Sequence, residues 1–147
     1  MNRILIVEDE KSMRDVLTLT LRKEGYKVET VESAVAARER MEKDGAFDLV
    51  ITDISMPGGM TGLDLLRHAR KHHPASAVVL MTAYGTKDTA IEALNDGATY
   101  YVEKPFDLDE LKVVVRKTIE QRRVVVENVD LKLENRDLRA ELRGKYR

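Results

Sequence analysis

The chain has 147 residues, enough for one domain with a real core plus an extension. Twenty-five Lys and Arg nearly balance 26 Asp and Glu, and the net charge of −1 argues against a broad nucleic-acid-binding surface. Cysteine is absent, which excludes a disulfide framework and a thiolate metal site, and no apolar run approaches membrane-spanning length.

Taken in chain order, the sequence alternates short apolar runs with longer amphipathic ones. Met1-Asn2-Arg3 leads directly into Ile4-Leu5-Ile6-Val7, with no long signal-type apolar region, so a soluble cytoplasmic protein is expected. That first strand ends in Glu8-Asp9-Glu10. Residues 12–24 follow as a helix with Met13, Val16, Leu17 and Leu21 on one face, and Gly25 marks its stop. A weaker strand spans 26–31. Residues 33–44 gather Ala34, Ala37, Arg38 and Met41 on a second helix, ended by Gly45. Leu49-Val50-Ile51 is a third strand, which runs through Thr52 to a single acid, Asp53. Met56, Pro57 and two glycines then turn the chain sharply.

Thr61 and Asp64 are spaced as a capping box opening a helix over 62–72 that carries Leu63, Leu66 and Ala69. Val78-Val79-Leu80-Met81 is the fourth strand, followed by Thr82. A fourth helix over 87–96 carries Ala90, Ile91 and Leu94 and stops at Gly97. The fifth strand, 99–102, runs into Glu103, Lys104 and Pro105. Asp107 and Glu110 again have cap spacing, and the helix after them offers Leu111, Val114, Val115 and Ile119 to a sheet.

Continuous rather than alternating hydrophobicity implies strands covered on both faces. Five such strands alternating with helices predict an α/β fold, (βα)5, a doubly wound parallel sheet in the order 2-1-3-4-5. The last helix outruns this pattern, since no Pro or Gly interrupts Leu108 to Arg143, a rod of roughly 50 Å. Its distal half repeats with period seven, "ENVDLKL" at 127–133 and "ENRDLRA" at 134–140. Asn128, Asn135 and Leu142 share one heptad position, and Val124, Leu131 and Leu138 the other apolar one. The division expected is a domain over 1–120 and a coiled-coil helix over 121–147, with the asparagines favouring a two-stranded parallel pairing and hence a homodimer.

In such sheets ligands bind beyond the carboxyl ends of the strands. Acids from the first and third strands, Glu8, Asp9 and Asp53, would meet there, opposite the Thr82 hydroxyl and the Lys104 ammonium. Taken singly each is ordinary: an acid after a strand is usually a turn residue, and a lysine is usually a surface charge. Their conjunction at one rim is what is specific. Clustered carboxylates need a cation, and hard oxygen ligands without His or Cys select Mg²⁺. Asp53 is then the expected nucleophile, with Lys104 and Thr82 binding the transferred phosphoryl oxygens.

At these residues the sequence resembles the receiver domain of two-component response regulators. "ILIVEDE", "VITDISMPG", "VVLMTAYG" and "YYVEKPFD" match the family's motifs in order and spacing over about residues 3–120. The resemblance implies a flavodoxin-like and CheY-like fold, Asp53 as phosphoacceptor, and Thr82 and Lys104 as switch hydroxyl and phosphate-binding lysine. It makes Tyr101 the switch aromatic. Asp9 becomes a direct Mg²⁺ ligand, Glu8 one acting through water, and the Ser55 carbonyl a further ligand. The Lys104-Pro105 bond is often cis in the family. Two departures stand out: Glu8 replaces the commoner Asp, and "PGGMTG" (57–62) is one residue longer than the usual loop.

The tail "LENRDLRAELRGKYR" resembles the linker of NtrC-type regulators, the sigma-54-dependent activators, which implies an N-terminal fragment of a larger transcription regulator. The expected partners are a sensor histidine kinase and a second copy. The second copy would pair through the C-terminal helix and the face of the fourth helix, fifth strand and fifth helix. Direct contact with nucleic acid or membrane is not expected. Nor is enzyme activity on separate substrates, only self-phosphorylation from a donor and autodephosphorylation. The alternatives are less well matched. A haloacid-dehalogenase-type phosphotransferase or phosphatase would need a second acid in Asp53-Ile54-Ser55. A non-phosphorylated scaffold receiver would have lost one of the site residues. A flavin binder would need a Ser/Thr/Gly-rich loop where "EDEKSM" stands.

Overall fold

The computed structural model describes residues 2–45, 47–54, 59–82 and 87–121, without the side chains of 87–90. Five strands, β1 (Arg3–Val7), β2 (Lys27–Val31), β3 (Leu49–Asp53), β4 (Ala77–Thr82) and β5 (Tyr100–Glu103), form one parallel sheet in the order β2-β1-β3-β4-β5. Between them lie α1 (Lys11–Lys23), α2 (Ala34–Asp44), α3 (Gly62–His72) and α4 (Lys87–Asn95), and α5 follows over 108–121. The expected (βα)5 fold and strand order are both present.

Successive strand residues face opposite sides, and both sides are covered. Ile4, Ile6, Leu49, Ile51, Val79 and Met81 pack with Leu17 and Leu21 of α1 and with Leu111, Val114, Val115 and Ile119 of α5. Leu5, Val7, Val50, Val78 and Leu80 pack with Ala34, Ala37 and Met41 of α2, Leu65, Leu66 and Ala69 of α3, and Ala93 of α4. The fully buried strands explain why the sequence shows unbroken apolar runs.

Helix ends follow their residues. The Asp64 N–H donates to Thr61 Oγ1 at 3.1 Å and the Thr61 N–H to Asp64 Oδ2 at 3.0 Å, the capping box expected for α3. Asp107 caps α5 by accepting from the Asp109 N–H at 2.9 Å. Gly25, Gly45 and Gly97, at helix ends, all take positive φ.

Some helix-face assignments need correction. Val16 is 44% exposed, because the buried stripe of α1 runs through Leu17, Thr20 and Leu21, and Val16 lies a third of a turn off it. In α3 the deepest apolar contact includes Leu65, and Leu63 is only half buried. In α4 Ala93 is buried and Ile91 and Leu94 are exposed among the described side chains, and the side chain of Ala90 lies outside them. The coiled-coil seam, residues 122–147, lies outside the described residues, as does Ser55.

Candidate functional site

Parallel strands deliver their carboxyl ends to one rim. Val7 of β1 pairs with Thr52 of β3, Asp53 with Met81 of β4, and Thr82 with Glu103 of β5. Glu8, Asp53, Thr82 and Lys104 therefore stand at or one residue beyond the ends of four adjacent strands. The Glu8 N–H continues the β1–β2 ladder to the Val31 carbonyl at 3.2 Å. The Ile54 N–H continues β3 to the Met81 carbonyl at 3.0 Å.

Lys104 joins the rim together. Its Nζ donates to Asp53 Oδ2 at 2.6 Å and to Glu8 Oε2 at 3.0 Å. Its backbone N–H donates to the Thr82 carbonyl at 2.7 Å, and the bond to Pro105 is cis. Carboxylate oxygens of Glu8, Asp9 and Asp53 lie within 4.8 Å of one another. Thr82 is buried, its hydroxyl 3.4 Å from the Val102 carbonyl it donates to. Tyr101, paired in register with Leu80, is half buried against the α2–α3–α4 side of the core.

The electrostatics follow from burial. The Glu8 side chain is only 1% exposed, and that burial pushes its carboxyl above the usual range, partly opposed by the bond from Lys104 and the Glu10 N–H. Burial pulls the Lys104 ammonium down, but its bonds to Asp53 and Glu8 outweigh this and hold it above the ordinary lysine value. When all are charged, among the described residues three carboxylates face one ammonium, an excess of negative charge built from hard oxygen donors. That donor set fits a small divalent cation such as Mg²⁺.

Two residues that sequence reading did not single out shape this rim. The Gly62 N–H donates to the Ile54 carbonyl at 2.8 Å, and a Cβ built at Gly62 would lie 2.1 Å from the Asp53 carbonyl oxygen. Only glycine lets α3 start so close beneath the end of β3. The available signal was a glycine at the first helical position, where a better helix former is ordinary. Arg14 donates to the carbonyls of Glu8 and Asp9 at 2.8 and 3.0 Å, and so holds the acidic loop on α1.

Residues 4–116 match the family described as the response regulator receiver domain. The chain belongs to that family. The receiver is 38% identical over 120 residues to the response regulator protein PilR of Pseudomonas aeruginosa, a match covering 82% of the chain and 26% of PilR. It is 40% identical over 119 residues to the regulatory protein AtoC of Escherichia coli, covering 81% of the chain and 25% of AtoC. It is also 40% identical over 116 residues to the DNA-binding transcriptional regulator NtrC of Azospirillum brasilense, covering 79% of the chain and 24% of that protein. Among solved structures, NtrX from Brucella abortus superposes with a TM-score of 0.83 at 35% identity, over 89% of the chain and 30% of NtrX. A receiver domain from Clostridium thermocellum superposes at 0.78 and 31% identity, over 85% of the chain and 99% of that domain. The likeness to NtrC and NtrX marks this receiver as NtrC-type, and the chain spans about a quarter of the length of the curated relatives it matches.

Proposed function

We propose that this receiver is a cytoplasmic phosphorylation switch in which Asp53 accepts a phosphoryl group from the phosphohistidine of a sensor kinase. The observation that carries the reading is the single ammonium of Lys104 held 2.6 Å from one carboxylate oxygen of Asp53, inside a cluster of three acids. An Asp53 oxygen forms the new bond to phosphorus as the donor's P–N bond breaks, and the leaving imidazole nitrogen keeps the electron pair and takes up a proton. Lys104 is placed to follow the transferred oxygens, and Thr82 to donate a hydrogen bond to one of them once it turns from Val102. Glu8, Asp9 and Asp53 would hold Mg²⁺, together with the Ser55 carbonyl. Bound there, the ion supplies neutralisation of charge on the phosphoryl oxygens.

The acyl phosphate adds nearly two negative charges beside a rim already rich in them. Lys104 must redistribute its bonds, and through its N–H on the Thr82 carbonyl that change reaches β4 and β5. Tyr101, on β5, is the aromatic positioned to move inward with Thr82 and alter the α4–β5–α5 face. That face and the heptad segment beyond residue 121 would then change how the two copies pair, and a sigma-54-type output domain would read the change. In this reading the protein is not an enzyme toward separate substrates.

The test is incubation with acetyl phosphate and Mg²⁺ followed by intact mass. The parent chain gains one phosphoryl group and Asp53→Asn gains none. Equal gain in both would remove Asp53 as acceptor, and many turnovers of small phosphate esters would favour the phosphatase reading instead.

A further inference from the structure

Arg14 breaks a rule of helix charge. It sits close to the N-terminal end of α1, where the free N–H groups already carry positive charge, and no acid occupies the first turn to offset it. Such breaks in a local rule are expected where a residue serves a site. Helix side chains lean toward the N-terminus, so the guanidinium reaches back over the end of β1. Its Nη1 donates to two successive carbonyl oxygens, that of Glu8 at 2.8 Å and that of Asp9 at 3.0 Å. Nη2 lies 3.5 Å from Glu32 Oε1, just past the end of β2. The Arg14 side chain is only 13% exposed but that of Glu32 is 80% exposed, so the Glu32 pair is weak and the two carbonyls are the main acceptors.

Those carbonyls belong to two of the three acids at the rim. Holding both fixes the peptide planes on either side of Asp9, and with them the direction in which its side chain leaves the backbone. The two acids differ in what else holds them. The Glu8 carboxylate accepts from Lys104 Nζ and from the Glu10 N–H. Asp9 is exposed, and among the described residues no donor meets its carboxylate. Its aim toward Glu8 and Asp53 is set through the backbone that Arg14 grips.

We propose that Arg14 is a positioning residue for the cation site: its bonds to the Glu8 and Asp9 carbonyls hold the Asp9 carboxylate toward the other two acids and so raise the affinity of the rim for Mg²⁺. The inference rests on the reading that these three acids hold a divalent cation. Two effects of Arg14 oppose each other. As a positive charge near the site it repels another cation, but salt screens that repulsion at an exposed rim. As a clamp it keeps the ligands in place, and outer partners of metal ligands typically set about 10–100-fold of affinity. The clamp is the larger effect, and the two have opposite signs.

The experiment is calorimetric titration of the metal-free full chain with Mg²⁺ alone at constant ionic strength, for the parent, Arg14→Met, Arg14→Lys and Asp9→Asn. Arg14→Met keeps the apolar stem and removes the charge. Arg14→Lys keeps the charge, but its ammonium ends a bond short of the guanidinium fork. Both Arg14 variants should bind Mg²⁺ about tenfold more weakly than the parent, still at one site per chain. Equal or tighter binding by Arg14→Met, or parent-like binding by Arg14→Lys, would overturn the inference and leave the cation reading standing. Fewer sites per chain at the parent's affinity would mark Arg14 as a residue of the fold alone, and would overturn it too. No binding by the parent, or equal binding by the parent and Asp9→Asn, would overturn the cation reading and the inference together.

Discussion

Glu8 is a carboxylate with almost no access to water, and Lys104 is what makes it tolerable. Taking away one partner of such a pair leaves the other buried and uncompensated. Lys104→Met keeps an apolar stem of similar length but removes the charge. The expected loss of stability, measured by urea unfolding without divalent metal near neutral pH, is about 3 kcal/mol. Its pH dependence has a definite sign. The folded-state value of Glu8 lies above 4.5, so between 4.5 and that value the folded chain binds more protons than the unfolded one. Stability conferred by protonated Glu8 is therefore lost as pH rises through that window. Removing Lys104 deletes a contribution that lowers Glu8, which widens the window. The gap between variant and parent should narrow as pH falls toward 4.5. In the parent, Lys104 sits above 10.5, so its own contribution survives neutral pH and fades only in strong base. A gap that stays constant with pH would show that Glu8 is not the charge left unpaired.

Among the described side chains, α4 offers little apolar anchoring. Ala93 is its buried side chain among those described, and Ile91 and Leu94 point outward. It is held laterally by Arg67 of α3, whose guanidinium meets Glu92 at 3.0 Å and Asp96, just past the helix end, at 3.0 Å. Arg67 and Glu92 are exposed and Asp96 is half buried, so the pairs contribute little to global stability. They fix position instead. Arg67→Ala should leave the urea midpoint nearly unchanged yet raise amide hydrogen exchange across α4. If α4 exchanges as slowly as before, its apolar packing and not Arg67 holds it. Periodicity marks the apolar residues of a helix, but which of them face inward depends on the sheet beneath, and here a small alanine lets α4 lie close while its larger residues stay outside.

At the scale of the molecule, the strand order and the convergence of Glu8, Asp9, Asp53, Thr82 and Lys104 were legible because continuous apolar runs require a doubly covered parallel sheet. That topology then puts every strand's end on one rim. Close approaches were not legible. The fit of Gly62 against the Asp53 carbonyl and the hold of Arg14 on the acidic loop are facts of three-dimensional packing that no periodicity encodes. The homodimer expectation can be separated from the fold by cutting the chain after Gln121. The cut preserves Leu111, Val114, Val115 and Ile119, all buried in the α1–α5 side of the core, so the shortened receiver should fold and accept phosphate at Asp53 as the full chain does. What it loses is the heptad seam of Val124, Leu131 and Leu138 with Asn128 and Asn135. Sedimentation should then find the shortened chain monomeric at concentrations where the full chain pairs. Equal pairing in both would move self-association onto the receiver itself, whose exposed large apolar side chains among the described residues are Ile91, Leu94, Tyr100 and Val113 on α4, β5 and α5 and Val16 and Leu19 on α1.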